Sequence, residues 1–441
     1  MEPAGMPEAR LEPRFWHQQR LAWLALALLL AVLIAGWLWN QRGNYSVVRL
    51  GILQALTGSM AISEKPMVEA EQLAIEEINA AGGVLGHRIE AVIADTGSST
   101  ETAASKLEEL LIERKVSAVI GCWTSACRKT VKPIIERHGS LLIYPMAYEG
   151  LEKSPNIIYT GAAPNQQVLP AVNWSFENLG KRFFLIGSDY IWPHAINAMI
   201  ADQLKALGGE LVGETYLPFG SVDPTAAIDK IRASKPDVIL STVVGDSNAP
   251  LYRALKSAGL DPKQVPVVSF SISESEAEQI SNSDIAGHYS AWNYFQTIHR
   301  PENTAFLKAF RDRYGANRVV SDVMETAYIS VKLWAQAAER ANSVAAEDVN
   351  QALMGLSYNA PEGIVTIDPA TRHTWRAFNI GKIGANGGIT IVWSAGYPIR
   401  PVPYPRSRSV SDWDDFLQNL YVSWNHNWVN LSSSGAKSGQ P

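Results

Sequence analysis

Cysteine is scarce in this chain: among 441 residues only Cys122 and Cys127 occur. Two thiols make neither a disulfide-stapled scaffold nor a complete cysteine zinc site. Their spacing is compatible with one bridge where a strand turns into a helix, or with two thiols at a helix start. An excess of positive charge is also missing. Lys and Arg total 38 against 43 for Asp and Glu, a formal net charge of -5, and no compact basic block occurs after residue 50. A mildly acidic surface has no general attraction for phosphate backbones, which argues against a nucleic-acid partner. The common catalytic and nucleotide motifs are absent too. No GxGxxG follows the first predicted strand, which runs on as GILQALTGS, and GxxxxGK[ST], HExxH and GxSxG do not occur. None of the eight histidines forms a ligand-spaced pair within a predicted element. The sequence therefore calls for no catalytic residue, no cofactor and no metal.

What is present is a globular composition, 46% hydrophobic and 18% charged, long enough for two α/β domains with real cores. Arg10, Arg14 and Arg20 precede an apolar run from Leu21 to Trp39. A basic flank before an apolar stretch of this length predicts a cytoplasmic segment over 1–20 and a transmembrane signal anchor over 21–39, with a cleaved signal peptide as the rival. That places the body outside the cytoplasm, held at the inner membrane. Beyond it, strands predicted at 47–53, 89–95, 117–121 and 141–144 alternate with helices, and the rhythm restarts with strands at 182–187, 211–217, 237–242 and 265–270. Twice-repeated βαβ units predict two parallel sheets covered on both faces. From 363 the pattern turns to short strands, and after Tyr397 come four prolines and the aromatic run DWDDFLQNLYVSWNHNWVN, predicted to lay a short helix against the body.

In open α/β sheets ligands sit beyond the carboxyl ends of the strands. The segments there are Cys122–Ala126, Pro145–Glu149, Ser188–Trp192, Gly245–Asn248 and Ser271–Glu274. They are rich in aromatic and hydroxyl groups suited to a small polar molecule. By residue pattern alone, Thr124 or Ser125 is equally a helix N-cap, and Asp189 and Asp246 equally cap the helices that follow.

Eight ordered segments carry a resemblance: GILQALTGSMAISE at 51, AIEEINAAGGVLGHRIE at 74, VIGCWTSACRK at 119, YTGAAPNQQ at 159, GSDYIWP at 187, VVGDSNAPLYRALKSAG at 243, AGHYSAWNYFQ at 286 and SYNAPEGIVTIDP at 357. Over about residues 47–395 the chain resembles the urea and short-chain amide binding proteins, a branch of the type I periplasmic binding proteins that includes the branched-chain amino-acid binders. The resemblance implies two doubly wound α/β lobes joined by a multi-strand hinge. Lobe 1 is expected over 45–165 with part of 286–330, lobe 2 over 166–285 with part of 331–395, and a C-terminal extension with a disordered tail over 396–441. It also implies a ligand shell of Trp123, Thr124, Ser125, Met146, Tyr148, Tyr190, Asp246 and Glu274. The implied role is capture of urea or a short amide for an ABC importer, with ligand sensing for a membrane regulator as the alternative. Trp123 adds bulk and is expected to shrink the cavity.

Overall fold

A computed structural model describes residues 23, 24, 26–31 and 47–434. The membrane anchor expected over 21–39 has to be corrected. Within that run only 23, 24 and 26–31 are described, as helix, and no helix among the described residues is long and apolar enough to cross a membrane. Spanning a bilayer takes about 20 apolar residues in one helix, so the attachment to the inner membrane inferred from this run falls with it. The basic flank and the rest of the run lie outside the described residues, as does the tail expected to be disordered beyond 434.

The first sheet contains β1 (Val48–Gln54), β2 (Ile89–Asp95), β3 (Ala118–Gly121), β4 (Leu142–Tyr144) and β5 (Ile157–Tyr159), all parallel in the order β2-β1-β3-β4-β5. Alternate residues serve opposite faces, as the strand period of two requires. Leu50, Ile52, Ile120 and Ile143 enter one core with the helices Ala61–Ala80 and Asp322–Ala341, whereas Leu53, Val119, Leu142 and Tyr144 enter the other. Gly121, at a φ of 148°, lies so close to β1 that a Cβ there would stand 2.1 Å from the Leu53 carbonyl oxygen.

The second sheet holds β6 (Arg182–Ser188), β7 (Glu210–Leu217), β8 (Val238–Thr242), β9 (Val267–Ser269), β10 (Tyr289–Trp292), β14 (Asn379–Ile383) and β15 (Ile389–Ser394), in the order β15-β14-β10-β9-β8-β6-β7. Five of these strands are parallel, and β14 and β15 add antiparallel at one edge. A small antiparallel sheet of β11 (Ser357–Ala360), β12 (Gly363–Ile367) and β13 (Thr374–Trp375) lies between β10 and β14 in sequence. The architecture is two α/β lobes with a multi-strand hinge, as expected.

Three stretches of chain cross between the sheets: after β5, after β10 and before β14. Polar side chains bind these crossovers together. The Gln166 amide donates to the carbonyls of Thr374 (2.9 Å) and Ile399 (2.7 Å). The Asn293 amide donates to the Gln166 carbonyl at 3.0 Å and to that of Ala377. Arg376, fully buried, donates to the Thr160 carbonyl (3.1 Å) and the Thr326 hydroxyl (2.6 Å), and is paired with Glu325 (3.2 Å), Asp322 (3.5 Å) and Glu362. Burial disfavours its charge, but the carboxylates of Glu362, Asp322 and Glu325 outweigh that and hold the guanidinium above its ordinary range. Removing one member of such a set leaves an uncompensated buried charge, at about 3–5 kcal/mol. Arg376→Met should lower the unfolding free energy from denaturant titration by about 3–5 kcal/mol; a loss below about 1 kcal/mol, within the range of an exposed ion pair, would show that the hinge does not depend on it.

Candidate functional site

The strand ends of the two sheets face each other, and the lobes touch. The Asp246 amide donates to the Ser59 carbonyl at 3.4 Å, and a Cβ on Gly245 would stand 2.7 Å from the same oxygen. The site is therefore a closed cleft, and its contents can be read from each strand end in turn.

After β3 the chain turns through Cys122, whose φ is 61°, into the helix Ser125–Arg137. Cys122 and Cys127 form a disulfide around this turn. The bridge is possible because Cys122 still lies at the strand end and Cys127 in the first helical turn. The Thr124 hydroxyl caps the helix by accepting from the Cys127 amide at 3.0 Å. Ser125 donates to Glu149 at 2.5 Å and accepts from Arg128 at 3.1 Å. Arg128, fully buried, pairs with Glu149 (2.7 Å) and Glu152 (3.1 Å), and its guanidinium lies 4.3 Å from the Tyr148 ring centre. Glu152 is held down at about 2: burial pushes its carboxyl up, but Arg128, Lys129 and the Tyr159 hydroxyl more than reverse this. The Tyr148 hydroxyl meets His373 Nε2 at 2.5 Å, and its ring stacks on Tyr159 with centres 5.0 Å apart.

The sequence-predicted residues fall into two groups. Ser125, Tyr148 and Tyr190 converge on the Arg128–Glu149 pair. Tyr190 comes from the second lobe, and its phenol is held well above its ordinary value by burial and then by the nearby Tyr144 and Glu149. Thr124 lines a cavity of about 20 Å³ with Met60 and Glu64. Trp123 is buried beside it; its carbonyl accepts from Tyr144 at 2.8 Å, while its indole N–H has no partner among the described residues. Met146 is buried with its backbone pressed on Gly161. Asp246 and Glu274 stand apart from this group. The Asp246 side chain is exposed at the seam with Ser59. Glu274 is buried on the short helix Glu274–Ala277, where one oxygen accepts from the Gln296 amide at 2.8 Å and the other has no partner among the described residues.

Sequence reasoning passed over Gln54, Glu64, Glu71 and Arg128. Glu64 and Glu71 lie on the buried face of the helix Ala61–Ala80 together with Met67 and Ala74. Acids at those spacings on an apolar stripe were the available signal. Glu64 accepts from the Ala55 amide at 2.6 Å, and Glu71 accepts from the Gln54 amide at 3.1 Å. Burial pushes Glu64, Glu71 and Glu274 each up to about 8. Gln54 Oε1, Glu71 Oε2, Ser63 Oγ, Ser247 Oγ and Asn248 Oδ1 are buried without a partner among the described residues. A larger cavity, of about 630 Å³, opens beside the hinge between His299, Glu362, Asn379 and Tyr397.

The sequence model of a family described as "Periplasmic binding protein domain" matches residues 48–410. A Leu/Ile/Val-binding protein homolog of Brucella suis is 23% identical over 345 residues, 74% of this chain and 85% of that protein. The Leu/Ile/Val-binding protein BraC3 of Rhizobium johnstonii is 26% identical over 224 residues, and the chain spans 59% of its length. A limonene hydroxylase of Geobacillus stearothermophilus is 33% identical over 118 residues, but the chain spans only 22% of it, and that stretch carries no activity across. Among solved structures, a solute-binding protein of an ABC transporter from R. palustris in complex with 4-hydroxybenzoate has a TM-score of 0.73 at 21% identity, covering 81% of this chain and 98% of that one. A branched-chain amino-acid transporter substrate-binding protein from Streptococcus pneumoniae, in complex with isoleucine, has a TM-score of 0.70 at 24% identity, covering 81% and 100%.

The buried acids make stability depend on pH in a defined direction. A carboxyl raised from 4.5 to about 8 on folding keeps its proton when the unfolded chain has lost it, so its contribution falls as pH rises to about 8. His288 and His373, pushed down to about 4 by burial, act in the opposite sense only below their ordinary value of 6.5. Denaturant unfolding should therefore give a stability that falls between pH 6.5 and 8, with a shallower slope in Glu71→Gln; an unchanged slope would refute the protonated state of Glu71.

Proposed function

Because the chain belongs to the periplasmic-binding-protein domain family and is related to the branched-chain amino-acid binding proteins, we propose that it captures a small neutral amide, urea or a short-chain aliphatic amide, between its lobes. It would present that ligand outside the cytoplasm to an ABC permease. The family is one of binding proteins rather than catalysts, and lobe closure is its physical act. The Cys122–Cys127 bridge supports an oxidising compartment.

The observation that carries the ligand class is the charge state of the cleft. Arg128 is already matched by Glu149 and Glu152, and Glu149 occupies the Ser125 end of its helix, where a ligand carboxylate would otherwise be welcomed. Glu64, Glu71 and Glu274, at about 8, are largely protonated at neutral pH. A benzoate or amino-acid carboxylate would thus meet a resident carboxylate and no unmatched cation. A neutral molecule meets amide oxygens, hydroxyls, carboxyl groups and an indole N–H that lack partners. Urea offers one carbonyl acceptor and four N–H donors, a pattern that such a mixed lining satisfies, and each pairing left unmade would cost affinity.

In this reading Thr124 and Trp123 Nε1 serve the carbonyl end, and Ser125, whose proton goes to Glu149, fixes that carboxylate at the edge of the site. Trp123, Met146 and Tyr148 limit the size of the cavity, Tyr190 closes it from the second lobe, and Asp246 and Glu274 contribute from the seam and the inner wall. Calorimetric titration of the full chain, denatured and refolded once to strip co-purified ligand, should give saturable one-to-one heat with urea or acetamide and none with benzoate or leucine. Trp123→Ala should weaken urea binding by about tenfold, the loss expected from one hydrogen bond and its packing. Heat with benzoate or leucine alone would overturn the neutral-amide reading.

A further inference from the structure

Beyond the second sheet the chain does not trail away. From Pro398 onward it runs across both lobes and makes backbone contacts with two of the loops that face each other in the cleft. Ile399 exchanges hydrogen bonds with Arg376 at the hinge, at 2.7 and 3.3 Å. The Pro403 carbonyl then accepts from the Leu151 amide at 2.9 Å, next to the loop that carries Tyr148 and Glu149. Gly150, with a φ of 67°, permits this approach: a Cβ there would stand 2.0 Å from the Pro403 oxygen.

The segment then passes to the second lobe. Arg408 holds Asp202 with two hydrogen bonds, at 2.8 and 2.9 Å, and the helix Val410–Ser423 buries Trp413 and Leu417 against the body. The end of the segment returns to the cleft. Tyr190 forms an isolated antiparallel bridge with Val429, and the Ile191 amide donates to the Trp428 carbonyl at 3.0 Å. The Asn430 backbone amide donates to the Asp189 carbonyl at 3.1 Å, and its side chain donates to the Asp189 carboxylate at 2.9 Å. Ile191 is the first residue of its helix, so its N–H has no carbonyl within the helix to bond. The Trp428 carbonyl fills that role. On the opposite lobe, Lys129 lies 5.0 Å from the Trp428 ring centre while also reaching Glu149 at 3.6 Å.

We propose that Trp428 and Asn430 are positioning residues for the ligand cleft: they fix the Asp189–Tyr190–Ile191 turn so that the Tyr190 ring is presented to the Arg128–Glu149 pair of the first lobe. Tyr190 itself has an extended backbone (φ -150°) outside the helix, and no side-chain cap holds its turn. Asp189 is tied to its own lobe by its amide on the Leu217 carbonyl (2.7 Å) and by His194 on its carboxylate (2.8 Å), and the C-terminal segment adds the backbone contacts to Tyr190 and Ile191 that complete the turn. The same segment sets the Glu149 loop through Pro403, so one stretch of chain registers both walls of the cleft.

The role assigned to Tyr190 rests on the proposed amide-binding function, whereas the ordering of the turn does not, and the two separate in one experiment. Hydrogen exchange followed by mass spectrometry is run on the full chain, on Asn430→Ala, on Trp428→Ala and on a chain ending at Asn425. Peptides covering 182–197 should exchange about tenfold faster in Asn430→Ala, which loses its side-chain bond to Asp189, and in the chain ending at Asn425, which also loses the backbone bonds to Asp189 and Ile191. Trp428→Ala keeps its carbonyl bond to Ile191 and should exchange faster through loss of the ring that seats it beside Lys129, with peptides over β1–β4 unchanged and the melting temperature of the point variants retained. Should the shortened chain exchange faster everywhere, the two point variants decide. Unchanged exchange over 182–197 in both overturns the proposal. Urea dissociation, measured on the same samples, should then be faster in the variants. If the parent chain binds no urea, the ligand assignment fails while the exchange result still judges the positioning role.

Discussion

A buried guanidinium that must be matched where three strands of chain meet is the constraint on which this fold depends. Arg376 lies at the crossover before β14, yet its partners come from elsewhere: the Thr160 carbonyl of the first crossover, Glu325, Asp322 and Thr326 on a helix of the first lobe, and Glu362 on the small sheet. Such pairs contribute little net stability over a well-packed apolar core, but they penalise every arrangement in which one partner is misplaced. Asp322 extends the constraint by accepting from the Asn293 and Tyr294 amides of the second crossover, at 3.1 and 2.8 Å. A hinge held this way can bend without its three segments sliding past one another.

The first lobe repeats the device beside the cleft. Arg128 is matched by Glu149 and Glu152, packed against Tyr144 and Tyr148, and joined to Ser125. The charge of Arg128 is thus matched within the first lobe. Under the proposed function, selectivity would rest on the match of donors to acceptors and on cavity size, which discriminate strongly when the polar groups would otherwise stay unpaired.

The fold was legible because its signals are local and periodic. Strands such as IEAVIAD and RFFLIG follow helices ended by glycine, and a parallel sheet buried on both faces has few other ways to read. Strands β4 and β5 are three residues each, and β5 left no clear mark in the pattern, because a strand that short has no period to detect. The loops at the strand ends were also legible from composition, and Ser125, Tyr148 and Tyr190 do meet in the structure. What residue pattern could not convey is pairing across sequence: that Arg128 belongs with Glu149 and Glu152, that Glu71 turns inward to Gln54, and that Asp246 faces the seam. The apolar run at 21–39 misled for a related reason, since hydrophobic length was read there as a spanning helix and no such helix exists among the described residues.

The order of the strands has a consequence for how the molecule comes into being. The edge of the second sheet is built from β14 and β15, long after the chain has returned to the first lobe to lay the helix Asp322–Ala341 on Ala61–Ala80. Arg376, which closes the hinge, arrives just before them. During synthesis neither lobe can finish while the other waits, so no early portion of the chain holds a complete, tightly folded unit. A polypeptide assembled in this way cannot close its hinge until Arg376 has been made, so its two lobes mature together rather than one after the other.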